Sequence, residues 1–260
     1  MRAKDDDKPS PTQYTLNWGD QLGDDPKPSG RDLLSSVDEV IFETPVYNVL
    51  KRVYDNGIFN PDVCIPEADY NSGFKRAILQ TLLDTWSTTK PFALMHDYLA
   101  AKDKVPSDLK QFKQFLSTFW FGTYTRCADD NTTIGSSGFE HVFSGEWKGG
   151  IVDGHHNWMK YYLNQKSGDI KYYGYYHYQG NLTGTFEYDW AGLNKETGGM
   201  LFATSPVFDF SLFTACSLCY SGERACRFSI DDVPLAVSSF TKSCANGGLC
   251  LSTAYPEDGF

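Results

Sequence analysis

The sequence predicts an α+β fold with a helical first half and a strand-rich second half. Before residue 126, apolar residues recur at the spacing of helices, whereas later segments alternate aromatic and polar residues between frequent glycines. The 260 residues are 41% hydrophobic and 22% charged, as in ordinary globular proteins, which excludes a wholly disordered chain. No run of about 18 apolar residues occurs, so we expect no membrane span.

The N-terminal residues are predicted to lie outside the helical region. Residues 1–8 contain Asp5-Asp6-Asp7-Lys8, which looks like a truncated protease tag, and they lack the apolar stretch of a signal peptide. We therefore expect residues 1–8 to be the remnant of an expression tag, outside the fold, and a native signal peptide to have been removed. Residues 9–30, rich in Pro, Gly and Asp, are predicted to form an extended arm that Trp18 anchors.

Helical spacing predicts a helical region over residues 31–125. The apolar residues that define its first three helices are Leu33, Leu34, Val37, Val40 and Ile41, then Val46, Val49 and Leu50, then Phe74, Ala77, Ile78 and Leu82. Thr88 to Met95 is predicted to be a link. Pro106-Ser107-Asp108 then opens a helix with one apolar face, formed by Leu109, Phe112, Phe115, Leu116 and Phe119.

The rest of the chain, residues 126–260, is predicted to be β-rich. Alternating aromatic residues indicate strands over Ile170 to Tyr178 and over Thr185 to Trp190. Two closing strands are predicted over Pro234 to Phe240 and Leu251 to Tyr255. We expect Ser211 to Ala215 to continue a strand that starts at Leu201.

The cysteines and sequons predict a secreted protein with disulfides. Seven cysteines occur, and those in the last 45 residues are Cys216, Cys219, Cys226, Cys244 and Cys250. A structural zinc site is the alternative, because Cys216 and Cys219 form a C-x-x-C, but no second close pair follows. Asn131 and Asn181 begin N-glycosylation sequons, which also favours secretion.

The acidic composition limits how the chain can contact nucleic acid. The formal net charge is −10, whereas proteins that bind nucleic acid through a nonspecific electrostatic surface are basic. Any such role therefore requires a local site. Three of the five histidines, His141, His155 and His156, lie within 16 residues. Two facing imidazoles can supply one acid and one base in a single reaction.

These histidines lie in motifs that resemble the EndoU (XendoU-like) family of poly(U)-preferring endoribonucleases. The motifs are Glu140-His141-Val142-Phe143-x-Gly145-Glu146, Gly154-x-His156-Asn157-Trp158, Trp190-x-Gly192-x-x-Lys195, Thr204-Ser205-Pro206 and Thr253-Ala254-Tyr255. They follow in family order between about residues 115 and 255. The resemblance implies an N-terminal helical region packed on a C-terminal catalytic half with two antiparallel β-sheets.

The resemblance also implies a reaction. Family members cleave single-stranded RNA 3′ of uridines by attack of a ribose 2′-OH on the adjacent phosphorus, which leaves a 2′,3′-cyclic phosphate. By this analogy His156 is the general base, His141 is the general acid, and Lys195 stabilises the developing charge. The chemical step needs no metal, although Mn²⁺ or Ca²⁺ often stimulates relatives. We expect a monomer that binds single-stranded RNA.

Further roles follow from the same motifs. Glu140 and Glu146 are expected to support His141, and the Gly154 N–H is expected to approach a phosphate oxygen. Tyr255, Thr204 and Ser205 are expected to bind substrate. Two positions depart from the family pattern. His155 stands where relatives have an aromatic or aliphatic residue. Gly199 stands where relatives have a Ser or Thr that contacts the uracil edge, so we expect a relaxed preference for uridine.

The resemblance also bears on the cysteines. Relatives often have a buried free cysteine where Cys216 stands, and its removal leaves six cysteines for three disulfides. We expect Cys64 to pair with Cys127, and the other four to pair among themselves.

Two alternatives to this enzyme remain. One is a non-catalytic RNA- or protein-binding module on the same scaffold, which Gly199 and the acidic charge favour. The other is a metal-dependent hydrolase in which Glu140, His141 and His156 bind the ion. The intact set of His141, His156 and Lys195 argues against the binding module.

Overall fold

A computed structural model describes residues 1–24 and 26–259 and confirms the α+β class. The helices are α1 (Pro45–Asp55), α2 (Gly73–Trp86), α3 (Lys90–Ala100), α4 (Leu109–Phe121), α5 (Trp158–Lys166) and α6 (Pro206–Cys219). Short 3-10 segments cover Arg2–Lys4 and Glu39–Glu43, and a π-helical turn covers Glu140–Ser144. Within the described residues, no helix is both long and apolar enough to span a bilayer.

Two larger sheets form the second half of the chain. The strands are β1 (Tyr14–Leu16), β2 (Leu34–Val37), β3 (Thr123–Thr125), β4 (Ile134–Ser137), β5 (Glu146–Lys148), β6 (Ile151–Asp153), β7 (Ile170–Gln179), β8 (Thr183–Trp190), β9 (Leu193–Leu201), β10 (Gly222–Ile230), β11 (Val233–Ser243) and β12 (Leu249–Asp258). One sheet has the order β5-β6-β9-β8-β7 and the other β10-β11-β12, while β1-β2 and β3-β4 are two-stranded ribbons. Pairing is antiparallel apart from a parallel contact between β6 and β9.

An aromatic core joins the helical region to the π-helical turn. Trp120 of α4 stacks on Phe210 of α6 with ring centroids 4.6 Å apart, and Phe139 stacks on Phe143 at 4.8 Å. Trp86 of α2 packs edge-on against Phe210 at 5.2 Å. These rings are buried, and truncating one such ring typically costs about 3–5 kcal/mol. The helices therefore fix the position of the turn that carries His141.

The helix predicted to start at Arg31 is wrong. Leu34–Val37 is strand β2, which pairs with Tyr14–Leu16, and the Gln165 side chain hydrogen-bonds both the N–H and the C=O of Leu34. The apolar spacing of this segment fits a helix, but backbone pairing with the arm and with Gln165 decides its conformation.

Two other segments are helical where we expected a link and a strand. Lys90–Ala100 forms α3, with Pro91 in its first turn. Pro206–Cys219 forms α6, and Ser205 caps it by accepting a hydrogen bond from the Phe208 N–H at 3.1 Å. Because α6 is buried on several sides, its apolar run lacks the one-sided pattern that distinguishes a helix from a strand.

The disulfides confirm one expected pair, and they show that the expected free cysteine is wrong. Cys64 pairs with Cys127, as expected, and Cys244 pairs with Cys250. Cys216 is not the free thiol: it pairs with Cys226 across a Cα–Cα distance of 5.4 Å, and the free cysteine is Cys219. Cys216 is buried against the core one helical turn before the end of α6, which places it beside β10.

Residues 1–8 are part of the fold, contrary to our expectation that they lie outside it. Asp5 is fully buried, and its carboxylate accepts a hydrogen bond at 3.0 Å from the Ser205 N–H at the start of α6. Arg2 forms an ion pair with Asp231 at 3.0 Å. The arm that follows is anchored by Trp18, which donates to the Gly180 C=O and stacks on Tyr178 at 4.9 Å.

Replacing Asp5 with alanine should destabilise the fold. The Asp5→Ala variant leaves the buried Ser205 N–H without its acceptor, a loss of about 1–3 kcal/mol in the free energy of unfolding. Urea denaturation followed by circular dichroism measures it. The control is Asp6→Ala, which removes only an exposed ion pair with Lys90 and should leave the midpoint unchanged. Equal midpoints for the two variants would show that the N-terminal segment does not support α6.

Candidate active site

The predicted catalytic residues meet in one cleft between the two larger sheets. His141 lies on the π-helical turn, His156 directly precedes α5, Lys195 lies on β9 and Tyr255 on β12. All four line a cleft of about 490 Å³. The chain therefore brings together side chains that are separated by more than a hundred residues.

The imidazoles of His141 and His156 lie side by side, with ring centroids 6.1 Å apart. Nδ1 of His141 is 2.9 Å from Oε2 of Glu146, and Nδ1 of His156 is 2.8 Å from the Gly199 C=O. A carbonyl oxygen only accepts, so Nδ1 of His156 carries a hydrogen, and Nε2 is the basic nitrogen of the neutral ring. Each histidine is thus oriented by a contact at Nδ1, which leaves Nε2 for the contents of the cleft.

A close backbone contact between two segments holds this pair. The His155 N–H donates to the His141 C=O at 2.8 Å, and the His156 N–H donates to the Val142 C=O at 2.7 Å. Gly154 has φ +66°, and a Cβ atom there would lie 2.0 Å from the His141 carbonyl oxygen. Only glycine fits this approach. Gly154 therefore supports the site through its missing side chain, which is a different role from the expected approach of its N–H to a phosphate oxygen.

The structure also separates the two adjacent histidines. His155 is fully buried, its Nδ1 lies 2.7 Å from the Tyr188 hydroxyl, and its ring stacks on Trp190 at 4.8 Å. It does not line the cleft, whereas His156 does. His155 therefore fills the position of an aromatic residue in the core, and His156 is the imidazole that faces the cleft.

Arg126 and two carboxylates surround the Nδ1 side of His141. Nε of Arg126 is 3.2 Å from Glu146, and its Nη1 is 3.5 Å from Asp153. Burial raises the pKa of Glu146 to about 7, although Arg126 opposes this shift. Sequence reasoning missed Arg126 and Asp153 as site residues. For Asp153, its position directly before Gly154 was an available signal.

Burial lowers the pKa of both cleft histidines well below their usual value. The positive charge of Arg126 adds to this effect at His141, and that of Lys195 adds to it at His156. Both rings are therefore neutral at neutral pH in the absence of ligand. An anionic phosphate in the cleft would oppose the effect of these positive charges and favour protonation of one ring.

Cations and carboxylates both line this cleft. Arg126, Lys195 and Arg224 lie in its wall together with three carboxylates, Asp153, Glu257 and Asp258. Lys148 is close enough to lower the pKa of His141, and Lys242 donates to the Thr125 C=O at 2.9 Å beside Arg126. In a chain of formal net charge −10, the cations therefore give local positive charge beside the two histidines.

Four of the expected site residues do not line the cleft: Glu140, Glu146, Thr204 and Ser205. Glu140 is buried, and its carboxylate has no hydrogen-bond partner among residues 1–24 and 26–259. Burial, together with Glu146, raises its pKa well above the usual range. Thr204 donates to Asp209 at 2.6 Å, and Ser205 caps α6. Both are fully buried, so they support the fold beneath the cleft and do not contact a substrate.

Tyr255, in contrast, is an expected substrate-binding residue that the structure places in the cleft. Its ring stacks on that of His156 at 5.1 Å and lines the cleft. Thr185, Thr197 and Gly199 form the neighbouring wall. The two threonines were not among the predicted substrate-binding residues, although Thr197 is two positions from Gly199.

The cleft does not fit a divalent cation at its titratable groups. Ligand atoms of His141, Glu146 and Asp153 lie within 4.8 Å of one another. However, the Arg126 guanidinium already contacts both carboxylates, so a second positive charge would be repelled there. The metal-dependent alternative required Glu140, His141 and His156, and Glu140 does not line the cleft. We assign no metal to these residues.

Comparisons with known proteins identify the family. The family model described as Endoribonuclease XendoU matches residues 1–256. The chain is 30% identical over 249 residues to a uridylate-specific endoribonuclease of Mus musculus, covering 91% of this chain and 56% of that protein. For uridylate-specific endoribonuclease B of Danio rerio the identity is 32% over 255 residues, covering 92% and 84%.

A solved structure supports the same assignment. The structure titled "The structure of XendoU: a splicing independent snoRNA processing endoribonuclease" superimposes with a TM-score of 0.77 at 26% identity, covering 98% of this chain and 92% of that one. The chain spans little more than half the length of the mammalian relatives, as the 56% coverage of the mouse protein shows. The family match includes the buried N-terminal segment and every residue of the cleft except Glu257 and Asp258. The resemblance seen in the sequence is thus confirmed, and the chain belongs to the XendoU endoribonuclease family.

Proposed function

We propose that this protein cleaves single-stranded RNA, preferentially 3′ of uridines, and leaves a 2′,3′-cyclic phosphate. One observation carries the proposal: two imidazoles 6.1 Å apart, each held at Nδ1, share a cleft with Lys195. Relatives named uridylate-specific endoribonucleases support the substrate class. Because His141, His156 and Lys195 all line the cleft, we favour this enzyme over a non-catalytic module on the same scaffold.

The first half of the reaction uses His156. Burial lowers its pKa, so its Nε2 is unprotonated and can accept the proton of the ribose 2′-OH. The 2′-oxygen then attacks the adjacent phosphorus. The Gly199 C=O at Nδ1 stabilises the imidazolium that forms.

The second half uses His141 and Lys195. With the phosphate bound and the His141 ring protonated, the bond between phosphorus and the 5′-oxygen breaks, and Nε2–H of His141 gives its proton to the leaving oxygen. Glu146 at 2.9 Å and Asp153 at 4.0 Å stabilise the protonated form of His141 from the Nδ1 side. The Lys195 ammonium lines the cleft between the sheets and balances the negative charge that develops on the phosphorane.

Divalent ions act outside the chemical step in this proposal. The cleft residues do not accommodate a cation, and a chain of net charge −10 repels RNA. Mn²⁺ or Ca²⁺ would then stimulate cleavage by screening the acidic surface, without entering the reaction at His141 or His156.

We also propose that the protein is secreted and acts as a monomer. Three disulfides support an oxidising compartment, and both sequon asparagines, Asn131 and Asn181, are exposed. Expression with a signal peptide in eukaryotic cells should give a product whose mobility increases after N-glycan removal. An unchanged mobility would contradict glycosylation at these two sites.

Replacing either cleft histidine should abolish cleavage and the cyclic end. For a short uridine-containing RNA, His156→Ala and His141→Ala should each lose about 10²–10⁴ in rate, because each loses one proton transfer. Mass spectrometry of the fragments identifies the ends. The control is His177→Ala, an exposed histidine on β7, which should cleave like wild type.

Removal of divalent ions with EDTA distinguishes the proposed reaction from a metal-dependent one. Wild type in excess EDTA should still yield the cyclic phosphate, at a reduced rate. Loss of all product in EDTA, or a linear phosphate that forms directly, would overturn the proposed mechanism.

Restoring a hydroxyl at position 199 should sharpen base selection. A Cβ atom at Gly199 would lie 3.4 Å from its nearest neighbour, the Pro256 C=O, and φ there is not positive, so serine fits. The Gly199→Ser variant should raise the ratio of kcat/KM for uridine over cytidine sites by about 10-fold or more, since a group that pairs with the base edge rejects the wrong base. Cleavage of matched RNAs that differ at one base measures the ratio. Gly199→Ala is the control, and an equal gain in both variants would exclude the hydroxyl as the cause.

A further inference from the structure

A second concave surface lies between α2 and α4, away from the catalytic residues. This α2–α4 groove has a volume of about 480 Å³ and shares no lining residue with the catalytic cleft. Its floor is apolar and buried, formed by Tyr70, Leu79, Leu83 and Phe121. From Lys110 to Phe121 it follows α4 for about 17 Å, which is long enough for an extended ligand.

The rim of the α2–α4 groove is positively charged, whereas the chain as a whole has a negative net charge. Arg76, Lys110 and Lys113 line it, and Asp84 is the carboxylate beside them. Lys113 pairs with Asp84 at 2.7 Å. In the part of the chain that the structure describes, Arg76 and Lys110 have no carboxylate partner, so their charges are available to an anion. The chain as a whole has 33 acidic and 23 basic residues, so this rim is complementary to a polyanion.

The groove also offers hydrogen-bonding groups that are not used by the fold. The exposed side chains of Gln80 and Gln114 lie on the rim and can both donate and accept. A flat floor with cations and amides above it suits a sugar-phosphate chain, whose phosphates carry the charge and whose riboses carry the hydroxyls.

A short stretch of chain joins the groove to the catalytic cleft. Arg126, which lines the cleft, follows Phe121 of the groove by five residues, a distance of at most about 18 Å. The Cys244–Cys250 disulfide lies against the Thr118 C=O of the groove. The same hairpin carries Lys242, whose ammonium lies 4.3 Å from the Tyr124 ring beside Arg126. Lys242 therefore adds a positive side chain beside Arg126, at the cleft end of this stretch.

We propose that the α2–α4 groove is an exosite that binds the single-stranded RNA flanking the cleavage site, with phosphates held by Arg76 and Lys110. This inference rests on the proposed function, because its ligand is the substrate of the catalytic cleft. Such an exosite lets an acidic protein bind a long RNA more tightly than a short one without changing the chemical step.

Charge reversal on the rim tests the proposal. The variant is R76E/K110E, and its matched control is K104E/K171E, which makes the same change of net charge at exposed lysines outside both clefts. Two RNAs with the same uridine site are compared, a dinucleotide and a longer strand that can reach the groove from the cleft. For the long RNA, R76E/K110E should raise KM by about 10-fold at unchanged kcat, and for the dinucleotide neither constant should change.

The salt dependence gives a second readout. Two lost phosphate contacts should lower the slope of log KM against log salt for the long RNA by about 1.4. The neutral variant R76Q/K110Q should show the same direction with a smaller change in KM, which keeps the test valid if charge reversal impairs folding. Equal effects of R76E/K110E on both RNAs, or equal effects of the control, would overturn the exosite.

Binding measured without cleavage separates this proposal from the proposed function. Fluorescence anisotropy of the long RNA is recorded with H156A protein, with and without R76E/K110E. If wild type fails to cleave but binding depends on the rim, the proposed function fails and the RNA-binding groove stands. If wild type cleaves and neither KM nor binding depends on the rim, the exosite fails and the proposed function stands.

Discussion

The close approach of Gly154 to the carbonyl of His141 is the contact on which the rest of the site depends. Because no side chain separates the two segments, the His155 and His156 N–H groups reach the π-helical turn and fix the spacing of the imidazoles. The aromatic core under the turn holds the segment that carries His141, and the Gly199 C=O of strand β9 orients the His156 ring. Backbone contacts thus set the distance between the two imidazoles. Burial and the neighbouring cations set the pKa values of these rings.

Much of this arrangement could be predicted from the sequence because local chemistry determines it. Asp108 begins α4 by accepting from the Gln111 N–H at 2.9 Å, as its position before an apolar face indicates. The alternating strands β7 and β8 were equally clear. The motifs around His141, His156 and Lys195 indicated the cleft, although no local pattern states that these segments meet.

The errors arose where distant parts of the chain decide the outcome. Leu34 lies in a strand because Gln165, far away in the sequence, binds its backbone. Arg126 lies in the cleft, where it neutralises Glu146 and Asp153. The sequence around a single arginine does not indicate which carboxylates it will contact. Asp5 is buried because the start of α6 needs an acceptor, so a segment with the composition of a tag became part of the core.

Gly199 joins two functions that belong to different atoms of one residue. Its carbonyl oxygen orients His156, while its missing side chain leaves space in the wall of the cleft. Since the carbonyl is present whatever the side chain, a substitution at this position changes the shape of the wall and keeps the contact that orients the imidazole. The shape of the cleft and the orientation of its imidazole can therefore evolve separately.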